Sequence, residues 1–376
     1  MYVSRHYGIS IRCIDEPCLA SNSRHHEHRN EEAKKLMKHT VVMIPGDGIG
    51  PEVTAAAKRV LEAVGAEIEW VVRHAGVAAL ENGADSLLPT ETTDAVLQHG
   101  VALKGPCTTP IAGGFSSVNV ALRKQLKLYG AIRPIRNIQG VKTRYDDVDC
   151  VIIRENTEGL YSGIENVITE GVVTSLKVAT EKACRRIAAF AFEYARARGR
   201  KKVTAFHKAN IMKLSDGLFI NCARDIHKDY SDIAYEEVII DAGCMKVVSD
   251  PTQFDIILCE NLYGDLMSDL CAGLVGGLGV TPGANIGEKA AVFEAVHGTA
   301  PDIAGQGLAN PLAMIMSSVM MLNHIATTRD DAHALACAQR IKTAYNEAIV
   351  AGEKTRDLGG ALSTTEFTDA LVRRLQ

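Results

Sequence analysis

Alternation of short apolar runs with amphipathic helical runs is what most restricts the folds open to this sequence. Residues 40–45, TVVMIP, read as a buried strand; PEVTAAAKRVLEAV then reads as a helix with Pro51 in its first turn and Gly65 beyond its end. AEIEWVVRHA resembles a second strand, and further strand-like runs lie at 101–104, 150–153, 203–206, 237–241 and 255–259. Such a repeat implies an α/β architecture, a sheet covered by helices. Residues 162–178 look extended and apolar, and VATEKACRRIAAFAFEYARARG after them is a long helix stopped by Gly199. The glycine-dense segment 274–287, LVGGLGVTPGANIG, is expected to be loop. The C-terminal third is mostly helical, with Met314, Met316, Met320 and Met321 as core filler on one helix.

At 376 residues the chain exceeds one ordinary core, so two domains are expected. A net charge of −4 argues against nucleic acid as the main partner, and no apolar run has the length of a membrane span. Ten cysteines without C-x-x-C spacing suit buried thiols in a reducing compartment, not a disulfide framework or a zinc site. Residues 1–36 are expected to be a disordered extension, since SNSRHHEHRNEEAKKL can bury little; its His25, His26 and His28 are expected to be solvated. Arg5, His6 and Arg12, with no acid before Asp15, leave a transit peptide open. The cytoplasm is the expected location, with the mitochondrial matrix as the alternative.

The chemistry-bearing residues fall in several clusters. Asp265 and Asp269 in NLYGDLMSD, four apart, would share one helical face. Such a pair is often just a solvated face, but it can also hold a hard divalent cation such as Mg2+ or Mn2+. Arg123, Arg133 and Arg154, with Ser117 and Asn119, could surround a polycarboxylate through bidentate guanidinium contacts, although each arginine alone could serve a surface ion pair. Lys208 at a strand end could act as a base, and Tyr161 beside a glycine turn as a proton donor. His297 reads as a hydrogen-bonding loop residue. Gly46-Asp47-Gly48-Ile49-Gly50 invites a dinucleotide-binding assignment, but its spacing is G-x-G-x-G and Pro51 opens the helix. It is therefore expected to be only a tight strand-to-helix turn.

Six segments occur in order: IPGDGIGPEV, SVNVALR with LYGAIRPIR, RENTEGLYSG, FHKANIMKLSDGLF, NLYGDLMSDL and FEAVHGTAPDIAGQGLANP. Together they resemble the β-decarboxylating dehydrogenases, the isocitrate and 3-isopropylmalate dehydrogenase family, from about residue 40 to the C-terminus. The resemblance implies a two-domain α/β subunit without a conventional Rossmann fold and with an intersubunit clasp. The large domain would comprise 37–128 and 277–376. The small domain would comprise 129–276, including a clasp at about 160–200.

The same resemblance implies roles for single residues. Asp265 and Asp269 would bind metal with Asp241 from the other subunit of a homodimer. Ser117, Asn119, Arg123, Arg133 and Arg154 would bind substrate, with Asn210 lining the region. Tyr161 and Lys208 would be the acid–base pair, Lys208 acting across the interface. Glu294, His297, Gly298, Thr299, Ala300, Asp302, Ile303 and Asn310 would bind cofactor. Asp302-Ile303, where NADP-using relatives carry Lys-Tyr, implies NAD. Ser117-Val118-Asn119 implies isocitrate as substrate; Ser116 departs from the basic residue several isocitrate enzymes place there. The alternatives are homoisocitrate, isopropylmalate or tartrate as substrate, or a purely regulatory role, although Tyr161, Lys208, Asp241, Asp265 and Asp269 are all present.

Overall fold

The computed structural model describes residues 37–109 and 117–376. The expectations for residues 1–36, and Ser116, lie outside them.

One ten-stranded sheet carries the molecule, in the order β2-β1-β3-β12-β11-β4-β5-β10-β8-β9. Its first strands are β1 (His39–Ile44), β2 (Ile68–Val72), β3 (Val101–Lys104), β4 (Leu128–Arg136) and β5 (Asp149–Glu155). A separate hairpin is formed by β6 (Glu165–Thr169) and β7 (Val172–Ser175). The sheet is completed by β8 (Lys202–His207), β9 (Ala234–Ile239), β10 (Ile256–Cys259), β11 (Pro282–Gly287) and β12 (Ala291–Ala295).

Helices cover the sheet. They are α1 (Gly50–Ala63), α2 (Val77–Glu81), α3 (Thr90–His99), α4 (Val118–Gln125), α5 (Glu181–Ala197) and α6 (Ser215–His227). Then come α7 (Ile240–Ser249), α8 (Asn261–Leu274), α9 (Leu312–Arg329), α10 (Ala332–Val350) and α11 (Thr364–Leu375).

The two flanks of the sheet are parallel, and the helices supply the crossover connections that parallel strands need. Between them, β12–β11, β11–β4 and β4–β5 are antiparallel. This mixed order is not that of a conventional Rossmann sheet. Every strand of this sheet drawn from residues 128–259 lies on one side of the β11–β4 pairing, and every other strand of the sheet lies on the opposite side. We call that pairing the seam.

Several local expectations hold. Gly46 (φ 77°) and Gly48 (φ 59°) turn the chain from β1 into α1, and the Asp47 carboxylate accepts the Val77, Ala78 and Thr108 amides. Gly65 and Gly199 take left-handed conformations beyond α1 and α5. Met314 and Met321 are fully buried, with Met316 and Met320 packed against the same core. All eight described cysteines are free thiols. No helix among the described residues is long and apolar enough to cross a membrane.

Two expectations fail. The glycine-dense segment is not all loop: residues 282–287 form β11, one strand of the seam. A Cβ on Gly283 would lie 2.0 Å from the Arg133 Nη1, so the glycine is there to admit a guanidinium, not to break a strand. The run 237–241 is not wholly strand either. β9 ends at Ile239, and Ile240-Asp241 open α7.

Candidate active site

A cleft of about 250 Å3 opens over the ends of β3, β4, β5 and β12. Sheet and helices deliver its residues by different routes. Ser117 caps α4, its Oγ accepting the Val120 amide at 3.4 Å, and Arg123 lies in the last turn of that helix. Arg133 and Arg154 come from the neighbouring strands β4 and β5. Tyr161 sits on the short 3-10 turn Leu160–Ser162, and α8 presents Asp265 and Asp269. The structure thus brings eight of the expected substrate, metal and acid–base residues together: Ser117, Asn119, Arg123, Arg133, Arg154, Tyr161, Asp265 and Asp269 all line this one cleft.

Arg154 organises one wall. Its Nη2 and Nε donate to the Asn261 Oδ1 at 2.6 and 3.1 Å, while its Nη1 donates to Asp265. A Cβ on Gly264 would lie 2.4 Å from the Arg154 Cγ, so glycine lets α8 close onto the arginine stem. The Tyr161 hydroxyl donates to the Asp265 Oδ2 at 2.5 Å, and the Arg154 guanidinium lies 5.0 Å from its ring centre. Burial, then the hydrogen bond to Asp265, raises the Tyr161 pKa, so the phenol keeps its proton.

Burial, and then the charge of Asp265, also raises the Asp269 pKa. Asp265 and Asp269, one helical turn apart at an open cleft, form a hard-oxygen donor pair whose mutual repulsion a divalent cation would relieve. On that chemistry the pair fits Mg2+ or Mn2+. Within one chain the set stops at two, because no group of three or more His, Cys, Asp or Glu suited to a metal occurs among the described residues.

The floor of the cleft is cationic around one buried acid. Glu294 on β12 binds the Lys104 Nζ at 2.6 Å through Oε2, and its Oε1 faces Arg133 at 3.4 Å and Arg123 at 3.7 Å. The Asn285 Nδ2 donates to Oε1 at 2.7 Å. Burial alone would raise the Glu294 pKa, but the three cations overcome it and hold the carboxyl well below the usual range. Burial in turn lowers the Arg133 pKa to about 10. Glu294, expected on the cofactor side, therefore stands as counter-ion to two substrate-candidate arginines. Lys104 is not among the residues the sequence motifs point to. The available signal is a lysine closing the strand VALK, whose four residues are all buried.

The remaining expected residues lie elsewhere or at the rim. Lys208 donates to Asp241, and neither they nor Asn210 line the cleft. The Lys208 amide is held by the Asp216 Oδ2 at 2.7 Å. On the same segments Ile211, Leu214 and Met245 are exposed, Leu214 to 90%. His297 and Gly298 do reach the cleft. The His297 Nδ1 bonds the Gly298 carbonyl at 3.0 Å, and burial lowers its pKa, keeping the ring neutral. Beyond them, the Thr299 Oγ1 meets the Thr108 Oγ1 at 3.1 Å, and Ala300 adopts a left-handed conformation ahead of the turn holding Asp302 and Ile303. The Asn310 Nδ2 donates to Asp357 at 2.8 Å.

A family model described as isocitrate/isopropylmalate dehydrogenase matches residues 40–371. The chain belongs to the isocitrate/isopropylmalate dehydrogenase family. It is 50% identical over 340 residues to the alpha subunit of the mitochondrial NAD isocitrate dehydrogenase of Bos taurus, covering 90% of each chain. It is 49% identical over 338 residues to the mitochondrial catalytic subunit 5 of the Arabidopsis thaliana enzyme, covering 89% of this chain and 88% of that one. A mitochondrial regulatory subunit of the NAD isocitrate dehydrogenase of Dictyostelium discoideum matches at 49% over 349 residues, 92% of this chain and 95% of that one. Among solved structures, isocitrate dehydrogenase from Methylococcus capsulatus aligns with a TM-score of 0.85 at 46% identity, over 90% of this chain and 99% of that one. The relatives' mitochondrial names overturn the cytoplasmic location expected from composition and cysteine usage, which report a reducing environment but not which compartment supplies it.

Proposed function

We propose that this chain oxidises and decarboxylates isocitrate to 2-oxoglutarate and CO2 with reduction of NAD, in the mitochondrial matrix. One observation carries the reading: Arg123, Arg133 and Arg154 converge with Ser117 and Asn119 on a cleft that also presents Asp265 and Asp269. A tricarboxylic hydroxy acid matches three guanidinium groups and two neutral hydrogen-bonding side chains. The relatives' names support both substrate and cofactor.

Bound NAD would supply the hydride acceptor, and a divalent cation on Asp265 and Asp269 would supply Lewis acidity. The chain supplies the rest. The arginines fix the carboxylates and so align the C2 hydrogen for transfer. Tyr161, held protonated, delivers a proton to the carbon left when CO2 departs. Lys208 receives the proton of the C2 hydroxyl. Because Lys208 and Asp241 lie outside this chain's own cleft, we propose that they complete the cleft of a second subunit, either a copy of this chain or a related one. The exposed β6–β7 hairpin and the apolar residues around Lys208 would meet that subunit. The seam would divide a large lobe from a small one. Asp302, exposed on its turn, would accept the ribose hydroxyls of NAD and repel a 2′-phosphate.

A matrix of isocitrate, homoisocitrate, isopropylmalate and tartrate against NAD and NADP, with Mg2+ or Mn2+, tests the reading. Isocitrate with NAD should give the highest kcat/KM, and preference for another pair overturns it. The regulatory relative at 49% identity favours a second reading, a chain that binds ligand without turning it over. Turnover by this chain purified alone excludes that reading; isocitrate binding without turnover establishes it.

A further inference from the structure

Behind the seam, on the sheet face opposite the arginine cleft, lies a second cleft of about 100 Å3. Both sides of the seam line it. β4 contributes Pro134, and β11 contributes Pro282, while α9 adds Met316, Val319 and Met320. Successive residues of a strand face opposite sides of a sheet. Arg133 therefore points into the substrate cleft while Pro134 lines the rear one. In the same way Gly283 makes room for the Arg133 guanidinium while Pro282 lines the rear cleft.

At its rim stands Lys342 of α10, half-buried and paired with no carboxylate among the described residues. Arg136 is also at the rim, though it faces Asp149 at 3.7 Å. An apolar wall of proline and methionine with a cation at one end is complementary to an amphiphilic anion. The methionines suit an unbranched chain, since their flexible thioethers repack around it. The volume is about two-thirds of the ~150 Å3 cavity that admits benzene, so an occupant of about six carbons fits with its headgroup outside the open mouth.

We propose that the rear cleft binds a short-chain carboxylate, its chain against Met316 and Met320 and its headgroup on Lys342, and that occupancy is felt at Arg133 through the seam strands. The binding claim is independent of the proposed substrate. Only the coupling claim rests on the isocitrate reading.

Hexanoate is the probe, titrated into the full chain by calorimetry and saturation-transfer NMR, with 1-hexanol as its uncharged counterpart. Hexanoate should saturate at one site per chain and remain bound when isocitrate is saturating. Lys342→Met should weaken hexanoate by about fivefold while leaving 1-hexanol unchanged, as for loss of one partly buried ion pair. The 1-hexanol control also reports that the variant keeps its fold. Saturating hexanoate should shift the KM for isocitrate by about twofold in both proteins, with the midpoint of the shift about fivefold higher in Lys342→Met. Equal hexanoate affinity in the two proteins, or displacement of hexanoate by isocitrate, overturns the site. Binding with no shift in KM overturns the link to Arg133.

Discussion

Two charged clusters of this molecule follow opposite rules. Around Glu294, three cations and one acid are gathered from β3, α4, β4 and β12 of a single chain, and all are buried or nearly so. At Lys208 and Asp241 a single pair stands at the surface, on segments that also carry the exposed Ile211, Leu214 and Met245. The first cluster is complete and belongs to the fold as much as to the cleft. The second lies outside the chain's own cleft, and on the proposed function it would complete the cleft of a second subunit. A buried charge set must be neutralised within the chain that folds around it. A surface set can wait for a second chain to desolvate it.

The strongest way to break this contrast is a mixing experiment. Lys208→Met should lower kcat by about 10²–10⁴-fold, as expected for loss of a general base, with the urea midpoint unchanged. Asp265→Asn should be comparably inactive and equally well folded. If the clefts are shared, dissociating and reassociating the two variants at equal amounts should restore roughly a quarter of parental activity. Half the dimers are then mixed, and each mixed dimer holds one intact site. No recovery despite subunit exchange would place Lys208 and Asp265 in the same chain's site.

Next in size is Glu294→Gln, which strands buried cations and should cost about 3–5 kcal/mol in urea unfolding. Its sign with pH follows from the depressed carboxyl. The Glu294 contribution is fully present above the ordinary value near 4.5 and is lost as pH falls through the lowered one. The gap between parent and variant should therefore narrow on acidification; a gap that widens would refute the counter-ion role. A smaller effect is expected at the cofactor rim, where Asp302→Lys should raise kcat/KM for NADP relative to NAD by about tenfold. Smallest of all, Asp369→Ala breaks an exposed 2.6 Å pair with Arg59 and should change stability by less than about 1 kcal/mol.

Much of the cleft is legible in the sequence because its residues sit in ordered motifs: Ser117 to Arg123, Arg133, Arg154 with Tyr161, and the Asp265–Asp269 pair. What the sequence does not reveal is which groups neutralise the charge. Lys104 hides in an apolar strand, where nothing local distinguishes an inward ammonium from an exposed one. Glu294 groups with the cofactor residues by motif, because its partners lie about 160–190 positions away, a separation no local pattern spans. In the fold, the alternation of strands and helices locates most of the parallel strands but misses the antiparallel centre. β4 and β12 show no clean alternation, being buried almost throughout, and β11 carries glycines that read as loop. Gly283 is required by the tertiary neighbour Arg133, so its meaning is invisible until the strands are paired.

The β6–β7 hairpin has a consequence for the life of the chain in a cell. Every residue in its two strands is exposed, Val167 to 74% and Val173 to 63%, and a lone two-stranded ribbon has little stability of its own. On the proposed assembly, a newly made chain without a companion would display open strand edges and apolar side chains, the features that chaperones and proteases sort upon. Stoichiometry could thus be policed by turnover: copies made in excess of their companions would be the ones removed.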